Sequence, residues 1–195
     1  MKNLLPNAFK AILTLILISC GSVGLMALEM PLTSTPYDQQ MERIVAVLNT
    51  PVGMGRGDTS DRVQAQGSNL EQVETWMKEI RRLRYVRTST WQTPSETLSK
   101  RSGDCKDKSV LLLAWMKEHG YQDMKLVIGL QKPNSQQTHA WIEWNRGGIR
   151  YILDPTMESK PMLASPASKK YAAQYSYAEG KKFAHMSRQL MMAGL

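Results

Sequence analysis

Cys105 is the residue of this chain whose type and position best suit nucleophilic chemistry. It follows Gly103 and Asp104, a turn and a helix cap, and it begins an apolar segment predicted to be a helix. The N-terminus of a helix favours thiolate, the reactive form of cysteine. The chain has 2 cysteines, and because Cys20 lies in the N-terminal leader, the globular part keeps one free thiol. The alternative role for Cys105 is that of a small buried packing residue.

A thiol nucleophile needs a base, and the base needs a third group that orients it. His139 lies near the start of a predicted strand at 138–144, and Asp154 directly follows a second predicted strand at 149–153. The segment Asn145-Arg146-Gly147-Gly148 between them predicts a hairpin turn. Hairpin pairing brings the start of the first strand close to the end of the second. His139 and Asp154 are therefore predicted to be neighbours.

Hydrophobic periodicity predicts the elements that must position these residues. Helices are expected at 37–48, at 69–86, from the capping box Thr93-Pro94-Ser95-Glu96 to about 100, and at 105–119, followed by strands at 124–130, 138–144 and 149–153. The helix that begins at Cys105 is apolar on nearly all sides and is predicted to be buried, with Gly120 ending it. In the second strand, Ala140, Ile142 and Trp144 are expected to face the core. Helices followed by an antiparallel sheet indicate an α+β fold.

The N-terminal segment 1–27 is predicted to be an export signal. Lys2 and Lys10 precede an apolar run at 11–18, which is the pattern of a secretory signal peptide. Leu17-Ile18-Ser19-Cys20 resembles a lipobox, so cleavage before Cys20 would give a lipidated, membrane-attached N-terminus. Cleavage after Ala27, or retention of the segment as an anchor, are the alternatives. The protein is expected to be exported, either periplasmic or anchored as a lipoprotein.

Beyond this segment, the 195-residue chain is expected to hold one domain with two flanking parts. An N-terminal helix and loop occupy 28–68, the catalytic core 69–156, and a helical tail 157–195. The net charge of +8 comes from scattered lysines and arginines, and no basic stripe or nucleic-acid motif is present. Nucleic acid is therefore not an expected partner.

The motifs around the three candidate residues resemble those of a known superfamily. Residues 91–115, then Thr138-His139-Ala140-Trp141 and Leu153-Asp154-Pro155-Thr156, are similar to the transglutaminase-like superfamily, especially to bacterial transglutaminase-like cysteine proteinases. The resemblance covers about 76–156 and implies a papain-like core, with the nucleophile-bearing helix packed on an antiparallel sheet. It implies that Cys105 is the nucleophile, His139 the general base and then acid, and Asp154 the orienting group.

The same resemblance bears on two further sites. Trp91 is the side-chain candidate for an oxyanion donor beside the Cys105 N–H, with core packing as its alternative role. In the proteinase branch, acidic residues that flank the cysteine can bind calcium, and Asp104 and Asp107 are the candidates here. Lys106 stands between them where a carboxylate would be expected, and a cation opposes calcium binding. No cofactor is therefore expected, with calcium bound at Asp104 and Asp107 as the alternative.

These residues predict an exported cysteine hydrolase that cleaves amide bonds, with peptide bonds as the first expectation. The substrate would be a protein or peptide, and the intermediate an acyl-enzyme on Cys105. One alternative passes the acyl group to an amine, as a transglutaminase does. Another is a scaffold of the cell envelope that keeps the fold without catalysis.

Overall fold

The computed structural model describes residues 28–49, 69–132, 135–167 and 169–186. The predicted export signal at 1–27, with Cys20, and the segment 50–68 lie outside the described residues. In chain order the elements are β1 (Leu28–Leu32), α1 (Asp38–Met41), a 3-10 turn (Glu42–Ile44), α2 (Val45–Asn49), α3 (Leu70–Arg81), β2 (Arg84–Tyr85), α4 (Pro94–Lys100), β3 (Ser102–Gly103), α5 (Cys105–Glu118), β4 (Met124–Leu130), β5 (Thr138–Arg146), β6 (Ile149–Leu153), β7 (Met162–Leu163), α6 (Ala164–Ala167), β8 (Ala172–Ala178) and β9 (Lys181–Met186).

The central feature of the described chain is an antiparallel sheet in the order β1-β9-β8-β4-β5-β6-β7. The predicted hairpin joins β5 to β6, which pair Ile142 with Leu153 and Arg146 with Ile149. Gly147 and Gly148 form its turn with φ of 57° and 85°, a region that glycine enters without strain. Mixed helices and an antiparallel sheet confirm the predicted α+β class.

Helix α5 is the buried helix that the sequence predicts, and it packs on one face of this sheet. Its side chains from Val110 to Leu113 are almost completely buried, in one core with Ile142 and Trp144 of β5. The helix ends at the C-cap residue His119, and Gly120 follows with φ of 80°, as the C-terminal glycine predicts. The predicted inward face of β5 is thus confirmed, and α5 is fixed against the strand that carries His139.

Two buried lysines of α5 attach the neighbouring helices to it. The Lys108 Nζ donates to the carbonyl oxygens of Leu83 at 2.7 Å and Arg81 at 3.3 Å, at the end of α3. The Lys117 Nζ donates to two carbonyls at the end of α2, at 2.6 and 3.0 Å. Burial lowers the pKa of both ammonium groups. These contacts satisfy carbonyls that a helix C-terminus leaves without partners and place cations where the helix dipole favours them.

Apart from the short helix α6, the described elements after the predicted core are strands, so the predicted helical tail is wrong for most of the residues described there. β8 and β9 form a hairpin whose turn contains Glu179 and Gly180, with φ of 49° and 75°. Tyr175 and Tyr177 alternate along β8 and pack against the core that contains α5. The packing of these two rings outweighs the helix preference of the alanines around them. The predicted N-terminal part also begins with a strand, because β1 pairs with β9.

The helix predicted at 69–86 ends earlier, at Arg81. Asn69 caps its start by accepting hydrogen bonds from the Glu71 and Gln72 N–H groups. Beyond the helix, Arg84 and Tyr85 pair in parallel with Ser102 and Gly103, next to the start of α5. In the ranges that the structure covers, no helix is long and apolar enough to cross a bilayer.

A second apolar cluster covers the opposite face of the sheet. Val127, Trp141 and Ile152 of the sheet are buried there together with Ala167 and Tyr171. Ala167 ends α6 and Tyr171 precedes β8, so the segment between β7 and β8 folds back over this face. Since His139 and Trp141 lie on the same side of β5, this cluster adjoins the candidate site.

Candidate active site

Cys105 is the first residue of α5 and is partly exposed. Asp104 caps the helix by accepting from the Lys106 N–H at 3.2 Å, and Asp107 accepts from the Asp104 N–H at 3.1 Å, which completes a capping box. A Cβ atom at Gly103 would lie 2.8 Å from the Asp107 Cβ, so only glycine fits before this cap. The sequence Gly-Asp-Cys therefore holds the thiol at the positive end of the helix dipole.

His139 joins Asp154 on one side and Cys105 on the other. Its Nε2–H donates to Asp154 Oδ2 at 2.7 Å, and the imidazole also interacts with the Cys105 side chain, which lines the same cleft. The hairpin register supplies the first contact, as the sequence predicts. The packing of α5 on β5 supplies the second. The structure thus brings together all three residues of the predicted triad.

The charges of this trio favour a protonated imidazole. Burial by itself lowers the pKa of His139, but hydrogen bonds and charge interactions with Asp154 and Cys105 outweigh it and raise the pKa to about 9. Burial raises the pKa of Asp154, whereas its contact with His139 lowers it more, so the net shift is downward. An imidazolium between a carboxylate and a thiol stabilises thiolate, the form that attacks carbonyl carbon.

Asp154 is completely buried, and four hydrogen bonds hold its carboxylate. Besides His139, the Tyr171 hydroxyl donates to Oδ2 at 2.7 Å. The N–H groups of Thr156 and Met157 donate to Oδ1 at 3.0 and 3.1 Å. Burial and the Asp154 carboxylate raise the pKa of Tyr171, so the phenol stays protonated and remains a donor. Tyr171 is thus a positioning residue for Asp154.

Tyr171 was missed by the sequence analysis, which placed it in a helical tail. No local motif marks it, because its partner lies 17 residues earlier in the chain. Its ring packs edge-on against Trp141 at 5.1 Å between centroids, and Trp141 stacks on His139 at 6.3 Å. The indole and the phenol therefore support the imidazole ring from the side of the second apolar cluster.

Trp91 lies in the wall of a cleft of about 750 Å³ that contains Cys105 and His139. The Trp91 side chain is 2% exposed, and its Nε1–H has no hydrogen-bond partner among the described residues. A buried donor without a partner is rare in proteins and often has a functional explanation. Other lining residues include Tyr85, Arg87, Gln131, Gln137 and Met157. Trp91 can therefore pack in the core and still offer its N–H to an oxyanion, so the two predicted roles do not exclude each other.

The calcium candidates Asp104 and Asp107 do not present free oxygen atoms toward a common point. Asp107 accepts from the Thr88 hydroxyl at 2.8 Å and the Gln92 N–H at 2.9 Å. Asp104 forms an ion pair with Lys106. In the part of the chain that the structure describes, no group of three or more His, Cys, Asp or Glu residues is arranged to hold a metal ion. The side-chain oxygens of both candidates are thus already engaged by groups of the chain itself.

The fold and the trio define a papain-like class of protein, with a cysteine at the start of a central helix and a His–Asp pair on the adjoining antiparallel sheet. The sequence model of the transglutaminase-like superfamily matches residues 57–154, which is half of the chain. The chain belongs to this superfamily, as its motifs predict. Among proteins with curated functions, none matches it in sequence.

Solved structures of Legionella pneumophila LapG are similar in fold. One is 16% identical, with a TM-score of 0.54 over 68% of this chain and 78% of LapG. An EGTA-treated form is 17% identical, with a TM-score of 0.55 over 66% and 74% of the two chains. A calcium-bound form is 19% identical, with a TM-score of 0.52 over 72% and 93%. At these identities the likeness supports the fold alone.

The raised pKa of His139 predicts that the protein becomes less stable in alkaline solution. The proton on His139 contributes stability that is fully present below its ordinary pKa of 6.5, and this contribution is lost as pH rises to about 9. Between these values the melting temperature of the wild type is expected to fall relative to that of His139→Gln, measured by thermal unfolding. Parallel curves for the two proteins over this window would contradict the ion-pair description.

Tyr171→Phe is expected to weaken the site without removing it. The change deletes one donor to a buried carboxylate, which is worth about 1.5–3 kcal/mol. Acylation of Cys105 should slow by roughly tenfold. The pH above which the acylation rate falls should also shift, because the His139–Asp154 contact loosens. Tyr177→Phe is the matched control, because its hydroxyl bonds to Thr35 away from the cleft. It should lower the melting temperature but leave the pH profile unchanged; equal profiles for both variants would remove Tyr171 from the site.

Proposed function

We propose that this protein is a cysteine hydrolase that cleaves amide bonds, and peptide bonds first, through an acyl-enzyme on Cys105. The observation that carries the proposal is the His139 ring, which contacts both Asp154 and Cys105 at the wall of an open cleft. Membership of the transglutaminase-like superfamily supports a cysteine peptidase. A cleft of about 750 Å³ is large enough to admit several residues of a protein or peptide chain.

In the first half-reaction the Cys105 thiolate attacks the carbonyl carbon of the substrate. A carbon–sulfur bond forms, and the carbonyl electron pair moves onto oxygen. As the tetrahedral intermediate collapses, the carbon–nitrogen bond breaks, and the His139 imidazolium gives its proton to the leaving amine. The products are a free amine and a thioester on Cys105, with His139 neutral and Asp154 still ionised.

In the second half-reaction neutral His139 accepts a proton from water, whose oxygen attacks the thioester carbon. The carbon–sulfur bond then breaks, the acid product leaves, and the thiolate and imidazolium are restored. Asp154 holds the imidazole in one orientation through both halves, with its second oxygen fixed by the turn that follows β6. Every proton in this cycle is accounted for by His139, substrate and water.

Trp91 and the Cys105 N–H are the proposed donors to the oxyanion. The indole N–H is buried, lies in the wall of the cleft and has no partner among the described residues. Such a donor costs no reorganisation when charge develops on the substrate oxygen, and removing one typically costs 10²–10³ in rate. Trp91→Phe is therefore expected to slow acylation by roughly a hundredfold, which is the lower end of that range.

Acylation by p-nitrophenyl acetate tests the proposal without knowledge of the natural substrate. The wild type is expected to release one p-nitrophenolate per site in a rapid phase and to carry an acetyl group on Cys105, located by peptide mass spectrometry. Acylation no faster than that of a free model thiol would contradict the hydrolase and favour the non-catalytic scaffold. Cleavage of an unfolded protein substrate then tests peptide-bond specificity.

Transfer to an amine is the second candidate function, because the chain belongs to the transglutaminase-like superfamily and both reactions share the same thioester. In the test, water and a labelled primary amine added in excess compete for the acetyl group on Cys105. Hydrolysis predicts acetate as the main product, and amine transfer predicts the labelled amide. The ratio of the two products distinguishes the functions.

We also propose that the protein acts outside the cytoplasm. The basis is the sequence at 1–27, with its lysines, its apolar run and the lipobox-like residues before Cys20. Fractionation of cells that make the full chain, combined with mass spectrometry of the mature N-terminus, distinguishes a lipidated Cys20 from cleavage after Ala27. Full-length chain in the cytosol would contradict export.

A further inference from the structure

The Lys106 ammonium group lies among oxygen atoms at the start of α5. Its Nζ donates to the Thr88 carbonyl oxygen at 2.8 Å, to the Thr88 hydroxyl oxygen at 2.7 Å and to Asp104 Oδ2. An ammonium group has three donors, so each is used. The Lys106 side chain is only 15% exposed, whereas most lysines are solvated. This cation is therefore part of the internal framework of the site.

The oxygens around Lys106 belong to a network that ties residues 88–92 to the nucleophile helix. The Thr88 hydroxyl accepts from Lys106 and donates to Asp107 at 2.8 Å. Asp107 also accepts from the Gln92 N–H at 2.9 Å and from the Gln92 side-chain amide at 3.2 Å. Trp91 directly precedes Gln92 in the chain. The contacts at Thr88 and Gln92 therefore attach the segment that carries Trp91 to the helix that begins at Cys105.

Two carboxylates meet at this helix start, and they require positive charge nearby. Asp107 is completely buried and Asp104 nearly so. Burial raises the pKa of Asp107, and the neighbouring Asp104 charge adds to the rise, whereas the Gln92 N–H and the Lys106 ammonium oppose it. Lys106 supplies this charge by forming an ion pair with Asp104, close to the point where the two capping carboxylates approach each other.

A divalent cation would have to compete with this lysine for the same oxygen atoms. Calcium takes about six to eight oxygen ligands, and the inward oxygens of Thr88 and Asp104 already bind the ammonium group. Because the ammonium is covalently attached to the helix, it cannot diffuse away as a competing ion would. Its charge would repel any metal ion that approached the same oxygens.

We propose that Lys106 is a tethered cation that takes the place of a divalent metal ion at the start of the nucleophile helix. It neutralises Asp104 and fastens residues 88–92, and with them Trp91, against α5. The site is thus assembled without calcium. The consequence for the oxyanion donor rests on the proposed function, whereas the replacement of a metal ion by lysine stands independently of it.

Thermal unfolding in excess EGTA and in excess CaCl₂ tests the replacement directly. The wild type is expected to melt at the same temperature in both, and calorimetric titration should show no saturable calcium binding. Lys106→Met should melt at a lower temperature than the wild type in both solutions. Lys106→Glu should be destabilised in EGTA and recover stability in CaCl₂, because the new carboxylate completes an oxygen site. Lys78→Met is the matched control, since Lys78 pairs with Glu74 on the exposed side of α3.

Acylation by p-nitrophenyl acetate provides the second measurement. Lys106→Met should acylate at least tenfold more slowly than the wild type, because a displacement of about 1 Å in a site can cost roughly a hundredfold in rate. In Lys106→Glu, CaCl₂ should restore the rate, and it should have no effect on Lys106→Met or the wild type. A lysine with a general packing role would not produce this calcium-dependent rescue.

Three results would overturn the proposal. The first is a wild type that calcium stabilises with saturable binding. The second is a Lys106→Met variant that melts and acylates as the wild type does. The third is a Lys106→Glu variant that responds to calcium no more than Lys106→Met. If the wild type fails to acylate while the calcium responses of the melting temperatures are as expected, the proposed hydrolase is wrong and the tethered cation stands.

Discussion

Cys105→Ala is expected to abolish acylation by p-nitrophenyl acetate, with a loss of roughly 10⁵-fold or more in the single-turnover rate. The acyl group is carried by the sulfur atom, and no other cysteine lies in the part of the chain that the structure describes. The measurement is the rapid release of p-nitrophenolate, followed by mass spectrometry of the intact protein. The variant should remain unacetylated at the times when the wild type is fully modified.

The loss in Cys105→Ala should not result from unfolding. The Cys105 side chain is partly exposed and stands on the first turn of α5, where alanine is also accommodated. The melting temperature should therefore stay close to that of the wild type. Ser99→Ala, an exposed site on α4, is a control that should keep full activity. A Cys105→Ala variant that retains acylation would show that another nucleophile carries the reaction.

Asp154→Asn is expected to reduce acylation by about 10⁴-fold, the size of effect seen when the acid of a Ser-His-Asp triad is converted to its amide. The change keeps the shape of the side chain but removes the charge that holds His139 protonated. Burial is then opposed only by the interactions with Cys105, so the pKa of His139 should fall. The wild-type alkaline limit near pH 9 should consequently move to lower pH in the pH profile of acylation.

Asp38→Asn is a matched control for this effect. Asp38 is also a carboxylate held by several hydrogen bonds, from Thr35 and Lys182, but it does not line the cleft. It should lose some stability while its acylation rate and pH profile stay as in the wild type. If Asp154→Asn and Asp38→Asn have equal effects on acylation, Asp154 acts through stability alone and does not orient His139.

The local patterns of the sequence determined the three residues at the centre of the site. The Gly-Asp-Cys segment predicted both the cap and the helix start, because capping depends on residues within one turn. The two glycines after Arg146 predicted the hairpin, and its register brought His139 next to Asp154. The superfamily resemblance assigned the roles that these positions suggest. Such features are readable because each depends on neighbours in the chain.

The tertiary structure alone decided the surroundings of these residues. Tyr171 reaches Asp154 only because the segment after β7 folds back over the sheet. β8 becomes a strand because Tyr177 is buried against the core, although the alanines of this segment also favour a helix. Lys106 became a structural cation through contacts with Thr88, 18 residues earlier. The sequence therefore determined which groups carry the chemistry, and long-range packing decided what holds them, because burial is a property of the folded chain rather than of any local segment.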